Sequence, residues 1–322
     1  MNRILLTGAA GQVGKELQRT LAPLGAVIAA DRSQLDLSNP ANFRETIQQY
    51  QPDLIVNAAA YTAVDRAETE VTLAETVNGV AVQQLAQAAQ DLGAGLIHLS
   101  TDYVFDGRKN TPYQEDDQPN PIGAYGRSKQ MGEENILQVF QIASGKTPPY
   151  VILRTAWVYG TYGSVNFVKT MLRLGAEREE LRVVADQIGT PTWARDLANA
   201  VTGLAVRSLN QVTPLLLAEG ATALPSGVYH YTNSGVASWY DFAIAIFEEA
   251  ALLGFPLKVQ RVTPIRTEDY PTPATRPAYS VLSQQKTVDL LGSHAPYWRQ
   301  SLRQMLTELY AQTYESNRSI GW

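Results

Sequence analysis

The sequence predicts an α/β chain built on a doubly wound parallel sheet, with a smaller, discontinuous α/β domain added to it. Three observations predict this. Short apolar runs alternate with longer amphipathic stretches through the first half, the pattern of βαβ units. A glycine-rich turn joins the first apolar run to the first amphipathic stretch. The alternation loosens after Gly160, which marks a change of architecture.

Residues 3–6 form the first apolar run, followed by Thr7-Gly8-Ala9-Ala10-Gly11-Gln12-Val13-Gly14 and an amphipathic stretch over 15–24. Gly8, Gly11 and Gly14 allow a tight turn, a close backbone approach to a pyrophosphate, and a helix N-terminus that attracts it, the device of a Rossmann-type sheet. A second strand over 26–30 ends in Asp31-Arg32. An acid about twenty residues after such a turn suits the adenosine ribose hydroxyls, whereas a guanidinium suits a 2′-phosphate. NADPH and NADH therefore both remain open. Asp36-Leu37 opens a helix-start signal leading into a helix over 41–50.

Residues 53–60 read as a buried strand running into Ala58, Ala59 and Ala60, small side chains that let a ligand pass close to the backbone. Tyr61 and Thr62 form the lip. One long helix is expected over 73–92, with Asn78 the odd residue in it. The strand over 95–102 ends in Ser100-Thr101-Asp102, hydroxyls and a carboxylate where a doubly wound sheet places its ligands. A turn-rich loop over 103–123 delivers the chain to Ala124-Tyr125-Gly126-Arg127-Ser128-Lys129. On a helix Tyr125 and Lys129 share a face, one turn apart. An ammonium there lowers a phenol's pKa from about 10, which suits a proton donor to a carbonyl near neutral pH. Thr101 can share the same substrate oxygen.

A strand over 150–156 leads to Trp157, which can flank a substrate. Helices over 166–174 and 195–209, a strand over 181–187, a turn-rich connection over 210–227, a strand over 227–232 and a helix capped by Ser238 follow. A Pro- and Arg-rich segment then leads to two C-terminal helices. The dinucleotide-binding domain is expected over 1–158 plus about 192–235, and the substrate domain over about 159–191 plus 236–322.

Composition narrows the chemistry. The chain has 322 residues, 45% apolar and 18% charged, ample for a large core. A net charge of -5 argues against nucleic acid or an anionic membrane as partner. There is no cysteine, so disulfides and thiolate chemistry are excluded, and His98, His230 and His294 lack ligand spacing, so no metal site is expected. No signal-peptide pattern and no spanning apolar run occurs, and a cytoplasmic location is expected.

With these motifs laid out, the chain resembles the extended short-chain dehydrogenase/reductases, and within them the dTDP-4-dehydrorhamnose reductases. The resemblance rests on Thr-Gly-Ala-Ala-Gly-Gln-Val-Gly (7–14), Asn-Ala-Ala-Ala-Tyr-Thr-Ala-Val-Asp (57–65), Ser-Thr-Asp-Tyr-Val-Phe (100–105) and Tyr-Gly-Arg-Ser-Lys (125–129). It continues through Arg-Thr-Ala-Trp-Val-Tyr-Gly (154–160), Asn-Phe-Val-Lys-Thr-Met (166–171), Asp-Gln-x-Gly-x-Pro-Thr (186–192) and Arg-Pro-x-x-Ser-x-Leu (276–282). It implies reduction by NADPH or NADH of the C4 ketone of a dTDP-sugar, dTDP-6-deoxy-L-lyxo-4-hexulose. Tyr125 would donate the proton, Lys129 would bind the nicotinamide ribose and keep Tyr125 acidic, and Thr101 would hydrogen-bond the same oxygen. Gly11, Gln12 and Val13 would cradle the pyrophosphate, Asp31 and Arg32 the adenosine ribose, and Asp36 and Leu37 the adenine. Ala60, Tyr61 and Thr62 would line the rest of the dinucleotide, and Thr101, Asp102 and Trp157 would touch the sugar. Lys169, Arg173 and Arg276 suit the substrate diphosphate.

Some relatives form a dimer bridged by Mg²⁺ through carboxylates. Glu16 matches one ligand position, but Arg195 and Arg299 align with the other two, and a guanidinium cannot ligate a cation. A monomer or weak dimer without a bridging metal is expected. Other readings share the fold: a reductase of another nucleotide sugar, an epimerase, or a non-catalytic regulatory relative.

Overall fold

The computed structural model describes residues 1–142, 147–209 and 225–315. In chain order its main elements are β1 (Asn2–Thr7), α1 (Gln12–Leu21), β2 (Gly25–Ala30), α2 (Phe43–Tyr50), β3 (Leu54–Asn57), α3 (Ala81–Leu92), β4 (Gly95–Thr101), α4 (Ala124–Ile142) and β5 (Tyr150–Thr155). Then come α5 (Phe167–Glu177), β6 (Glu180–Val184), α6 (Ala194–Ser208), β7 (Gly227–His230), α7 (Trp239–Leu253), β8 (Arg261–Ile265), α8 (Gln285–Leu291) and α9 (Trp298–Tyr310).

Leu54, Ile55 and Val56 of β3 and Val151, Ile152 and Leu153 of β5 are inaccessible to solvent. Strands with no polar face need cover on both sides, which an all-parallel sheet receives from its crossover helices. The six strands run in the order β7-β5-β4-β3-β1-β2, every pair parallel. Leu17 and Leu21 of α1 with Leu197, Val201 and Leu204 of α6 cover one face. Phe43 and Ile47 of α2, Leu85 and Ala89 of α3, and Ile136 and Phe140 of α4 cover the other. The winding reverses between β1 and β3, so a crevice opens beyond Thr7 and Asn57.

A separate core gathers Tyr159, Val168, Met171, Trp193, Phe242, Ile246, Trp298 and Leu302 around α5, α7 and α9, with β6 and β8 paired in parallel. Ser238 caps α7 as expected: its hydroxyl accepts from the Asp241 N–H at 3.0 Å, and the Asp241 carboxylate accepts from the Ser238 N–H at 2.9 Å.

Two helices differ from expectation. The first begins at Gln12 and gives way to a 3₁₀ turn over Ala22–Leu24, where Pro23 lies. The single helix expected over 73–92 is interrupted by a π-helical turn, Thr76–Val80, between Val71–Glu75 and α3. Here α4 passes too close for a regular path. A Cβ on Gly132 would lie 2.2 Å from the Asn78 carbonyl oxygen, and one on Gly79 would lie 2.5 Å from the Met131 sulfur. The widened turn also aims Asn78 outward to other partners. The 210–227 connection falls outside the described residues as far as 224.

Candidate active site

Gly8 has φ +68°, and a Cβ on Gly14 would lie 2.1 Å from the Gly8 carbonyl oxygen, so only glycine fits the turn. Gly11 caps α1 with no side chain, and the first turn of α1 carries no acid. The helix N-terminus is left for an external anion. Gln12 links this turn to the second core: its Nε2 donates to the Val158 carbonyl at 3.0 Å, and its Oε1 accepts from Asn166 at 3.3 Å. Val13 packs against the sheet's core.

At the end of β2 the Asp31 carboxylate accepts from the Ser33 N–H at 2.8 Å and hydroxyl at 2.6 Å, bonds that lower its pKa. Arg32 pairs with Asp36 at 3.2 Å, and Asp36 in turn accepts from Ser38, while Leu37 is buried behind them. Ala59 and Ala60 are half-buried at the crevice floor and Thr62 is exposed. Asn78 holds the Tyr61 backbone from both sides, accepting its N–H at 2.8 Å and donating to its carbonyl at 3.0 Å. The Tyr61 hydroxyl donates to Glu70 at 2.6 Å.

At the opposite wall, β4 ends in Thr101-Asp102 and the first turn of α4 brings Tyr125 against them. The Thr101 hydroxyl is close enough to act on the phenol, and the Tyr103 ring meets the Tyr125 ring edge-on at 5.5 Å. Sequence reasoning expected a phenol made acidic by its neighbouring ammonium. The structure has the opposite balance: burial pushes Tyr125 up to about 12, and the Thr101 hydroxyl offsets this in part. Lys129 turns inward instead. Its Nζ donates to the Leu99 carbonyl at 2.7 Å and lies 3.2 Å from His98 Nε2, and burial lowers its pKa to about 8. The shared helix face allowed the two side chains to meet, but the Leu99 carbonyl and the His98 imidazole of β4 claim the amine.

Asp102 is buried, its Oδ1 accepts from Thr101 at 3.1 Å, and its Oδ2 has no partner. Burial raises its pKa from 3.8 to about 6. The fold therefore favours the neutral acid, and stability declines as pH rises from about 4 through 6, by about 3 kcal/mol for this group alone. Asp102→Asn is expected to raise the urea midpoint at pH 8 relative to the parent, with the gain vanishing below pH 4. Equal gains at both pH values would disprove the assignment.

Trp157 has φ +47°, unusual for a bulky side chain, and stacks on Trp239 at 3.5 Å and 5°. A Cβ on Gly189 would strike its indole at 2.6 Å, so the ring is held between Trp239 and the Gly189 backbone. Arg276 pairs with Asp65 at 2.8 Å and donates to the Thr272 hydroxyl at 2.5 Å. Its positive charge also acts on the Tyr103 phenol. Two cations expected at the diphosphate are occupied elsewhere. Lys169 Nζ donates to the Thr161 and Gly163 carbonyls at 2.8 and 2.6 Å, holding that loop over Gln12, and Arg173 is an exposed partner of Glu177 on α5. Both sit on a helix whose last contacts are local, which spacing alone does not reveal.

Two buried polar chains beside the site were missed. Thr7, Asn57 and His98 are register neighbours on β1, β3 and β4. The Thr7 hydroxyl donates to Asn57 Oδ1 at 2.6 Å, and Asn57 Nδ2 lies 2.8 Å from His98 Nδ1. The signal was a polar residue within or at the end of each apolar strand. In the second chain, Glu133 of α4 accepts from Arg154 of β5 at 2.7 Å and from the Ser100 hydroxyl at 2.5 Å, with both charged side chains only 3% exposed.

Glu16 is buried and pairs with Arg195 at 3.2 Å, Arg195 also pairs with Glu308, and Arg299 pairs with Glu248 and Glu249. Among the described residues no group of three His, Asp or Glu is placed to hold a metal ion.

The family model described as RmlD substrate binding domain matches residues 1–311. A dTDP-4-dehydrorhamnose reductase of Burkholderia thailandensis is 44% identical over 312 residues, covering 96% of this chain and 100% of that protein. The chain belongs to the dTDP-4-dehydrorhamnose reductase family. A second reductase of this family, from Escherichia coli K12, is 43% identical, with 96% of this chain and 99% of its own covered. Among solved structures, the Bacillus anthracis dTDP-4-dehydrorhamnose reductase in complex with NADP superposes with a TM-score of 0.82 at 39% identity, over 96% of this chain and 100% of that one. The motifs that carry the family resemblance are thus borne on a Rossmann-type reductase fold.

Proposed function

We propose that this protein reduces the C4 ketone of dTDP-6-deoxy-L-lyxo-4-hexulose to dTDP-L-rhamnose with NADPH or NADH. The observation that carries this is the meeting of the Thr101 hydroxyl and the Tyr125 phenol across the crevice from an uncapped, glycine-lined helix N-terminus. The residues present fit a dinucleotide: Gly8 and Gly14 admit no Cβ, and Gly11 leaves the end of α1 open.

When bound, the nicotinamide supplies the hydride. Gly11, Gln12 and Val13 would hold the pyrophosphate, Asp31, Arg32, Asp36 and Leu37 the adenosine end, and Ala59, Ala60, Tyr61 and Thr62 the middle. Tyr125 gives its proton to the carbonyl oxygen. Burial keeps the phenol protonated at neutral pH, the form with a proton to give, and the alkoxide that forms as the ketone is reduced is basic enough to take it. Thr101 orients that oxygen. Asp102 and Trp157 would meet the sugar, with Arg276 beside them and Lys169 acting through the loop it holds. The two hydrophobic cores support a division into a dinucleotide-binding part and a substrate part near residues 158 and 235, with Leu290, Leu291 and Ala295 returning to the first core and Trp193 joining the second. A chain without cysteine suits the reducing cytoplasm.

The test is to supply the keto sugar nucleotide made from dTDP-glucose and follow reduced-nicotinamide absorbance with NADPH and NADH separately. Consumption matched by dTDP-L-rhamnose is expected. Tightly retained NAD⁺ with an epimerised product and no net consumption would overturn the proposal.

Because Arg195 occupies the Glu16 carboxylate, we also expect no cation-bridged dimer. The sedimentation coefficient should be the same with Mg²⁺ and with EDTA. A dimer dispersed by EDTA refutes this.

A further inference from the structure

The short helical turn Val64–Ala67 follows the lip residues Tyr61 and Thr62, and its Asp65 reaches a segment 209 residues further on. Oδ1 accepts the Ala274 N–H at 3.2 Å, and Oδ2 accepts from the Arg276 guanidinium at 2.8 Å. The segment is fastened beyond that point as well. The Ile188 N–H donates to the Ala278 carbonyl, and the Ser280 N–H donates to the Ile188 carbonyl, both at 2.8 Å. Next to Ile188, the Gly189 backbone lies against the Trp157 indole. A Cβ on Gly107 would lie 2.7 Å from Pro277 Cβ, so the same segment presses on the loop that follows Asp102. Residues 272–280 thus form one strap from the dinucleotide lip to Trp157, with Arg276 set in it.

Of the three cations that suit a diphosphate, Lys169 and Arg173 are held by local partners. Arg276 stays beside the site, where its charge acts on the Tyr103 phenol that meets Tyr125. A guanidinium has five N–H groups in one plane. Among the described residues, three of those on Arg276 are taken, by the Thr272 hydroxyl, the Ala274 carbonyl and Asp65, which leaves two. The side chain is 22% exposed, so a ligand can reach it. The Arg276 hydrogen bond holds Asp65 below the usual carboxylate range, so the pair is charged at neutral pH. We infer, on the reading of a dTDP-sugar substrate proposed above, that Asp65 is a positioning residue: it orients the Arg276 guanidinium so that the two remaining N–H groups meet the substrate diphosphate. Charge and orientation oppose each other here. A carboxylate next to a diphosphate repels it, so on charge alone the removal of Asp65 tightens binding. A guanidinium set free must be ordered again when the ligand arrives, so on orientation the same removal loosens it.

The experiment is calorimetric titration of dTDP into the full chain saturated with NADP⁺, for the parent and its variants. Asp65→Ala is expected to weaken dTDP binding about fivefold. An affinity unchanged within about twofold, or tightened, overturns the inference. A double-mutant cycle separates action through Arg276 from a general loosening of the strap. In the Arg276→Met background Asp65→Ala should cause no further loss, because no guanidinium remains to be oriented. A second loss of about fivefold there overturns the inference. If Asp65→Ala does not fold, Arg276→Lys decides. An ammonium keeps the charge without the planar fork, so dTDP should again weaken about fivefold, and an affinity within about twofold of the parent overturns the inference. A parent that does not bind dTDP overturns the substrate reading itself. Binding by the parent with the wrong response in the variants overturns only the role of Asp65.

Discussion

Tyr125→Phe is expected to bind the nicotinamide cofactor as tightly as the parent and to lose on the order of 10²- to 10⁴-fold in turnover. The substitution removes one hydroxyl and keeps the ring that packs edge-on against Tyr103. The rest of the cofactor cradle is untouched, so a loss confined to kcat, with cofactor affinity within twofold, is the signature of a missing proton donor. The measurement is steady-state turnover on the keto sugar nucleotide alongside fluorescence titration of the cofactor. Turnover within fivefold of the parent would remove Tyr125 from the mechanism.

Breaking the buried ion pair is expected to have the largest effect on stability. Glu133→Ala leaves the Arg154 guanidinium, 3% exposed, without its carboxylate, and should cost about 3–5 kcal/mol in urea unfolding. The remaining neighbours cannot compensate: His230 offers one weak acceptor at 3.4 Å, and burial and the guanidinium pull its pKa to about 3. Glu133→Leu combined with Arg154→Met removes both charges and should recover most of the loss, since desolvation of the pair nearly cancels its attraction. A single-variant loss below about 1 kcal/mol would show that the pair is solvated in solution.

Much of the fold was legible because it rests on local pattern. The apolar runs of β1, β3, β4 and β5 appear where expected, since strands buried on both faces carry few polar residues to interrupt them. The glycine turn was equally visible, because Gly8 and Gly14 are demanded by backbone geometry that no other residue meets. The interruption at Asn78 was not, since its cause is the approach of α4 from 50 residues away, where Asn78 Nδ2 donates to Ser128. Spacing likewise put Tyr125 and Lys129 on one face, but said nothing about which groups from β4 would compete for the amine.

The sequence by itself determined that a dinucleotide crevice exists, which strands border it, and that a phenol and a hydroxyl reach it, because helical and strand periodicity and glycine sterics act between near neighbours. The tertiary structure alone decided the charge states. Whether Lys129 is an ammonium, whether Asp102 is an acid, and which partners occupy Lys169 and Glu16 all depend on burial and on groups that only the folded chain brings together. Those energies are set by solvent exclusion and by distances across the sheet, and neither quantity exists until the chain has folded.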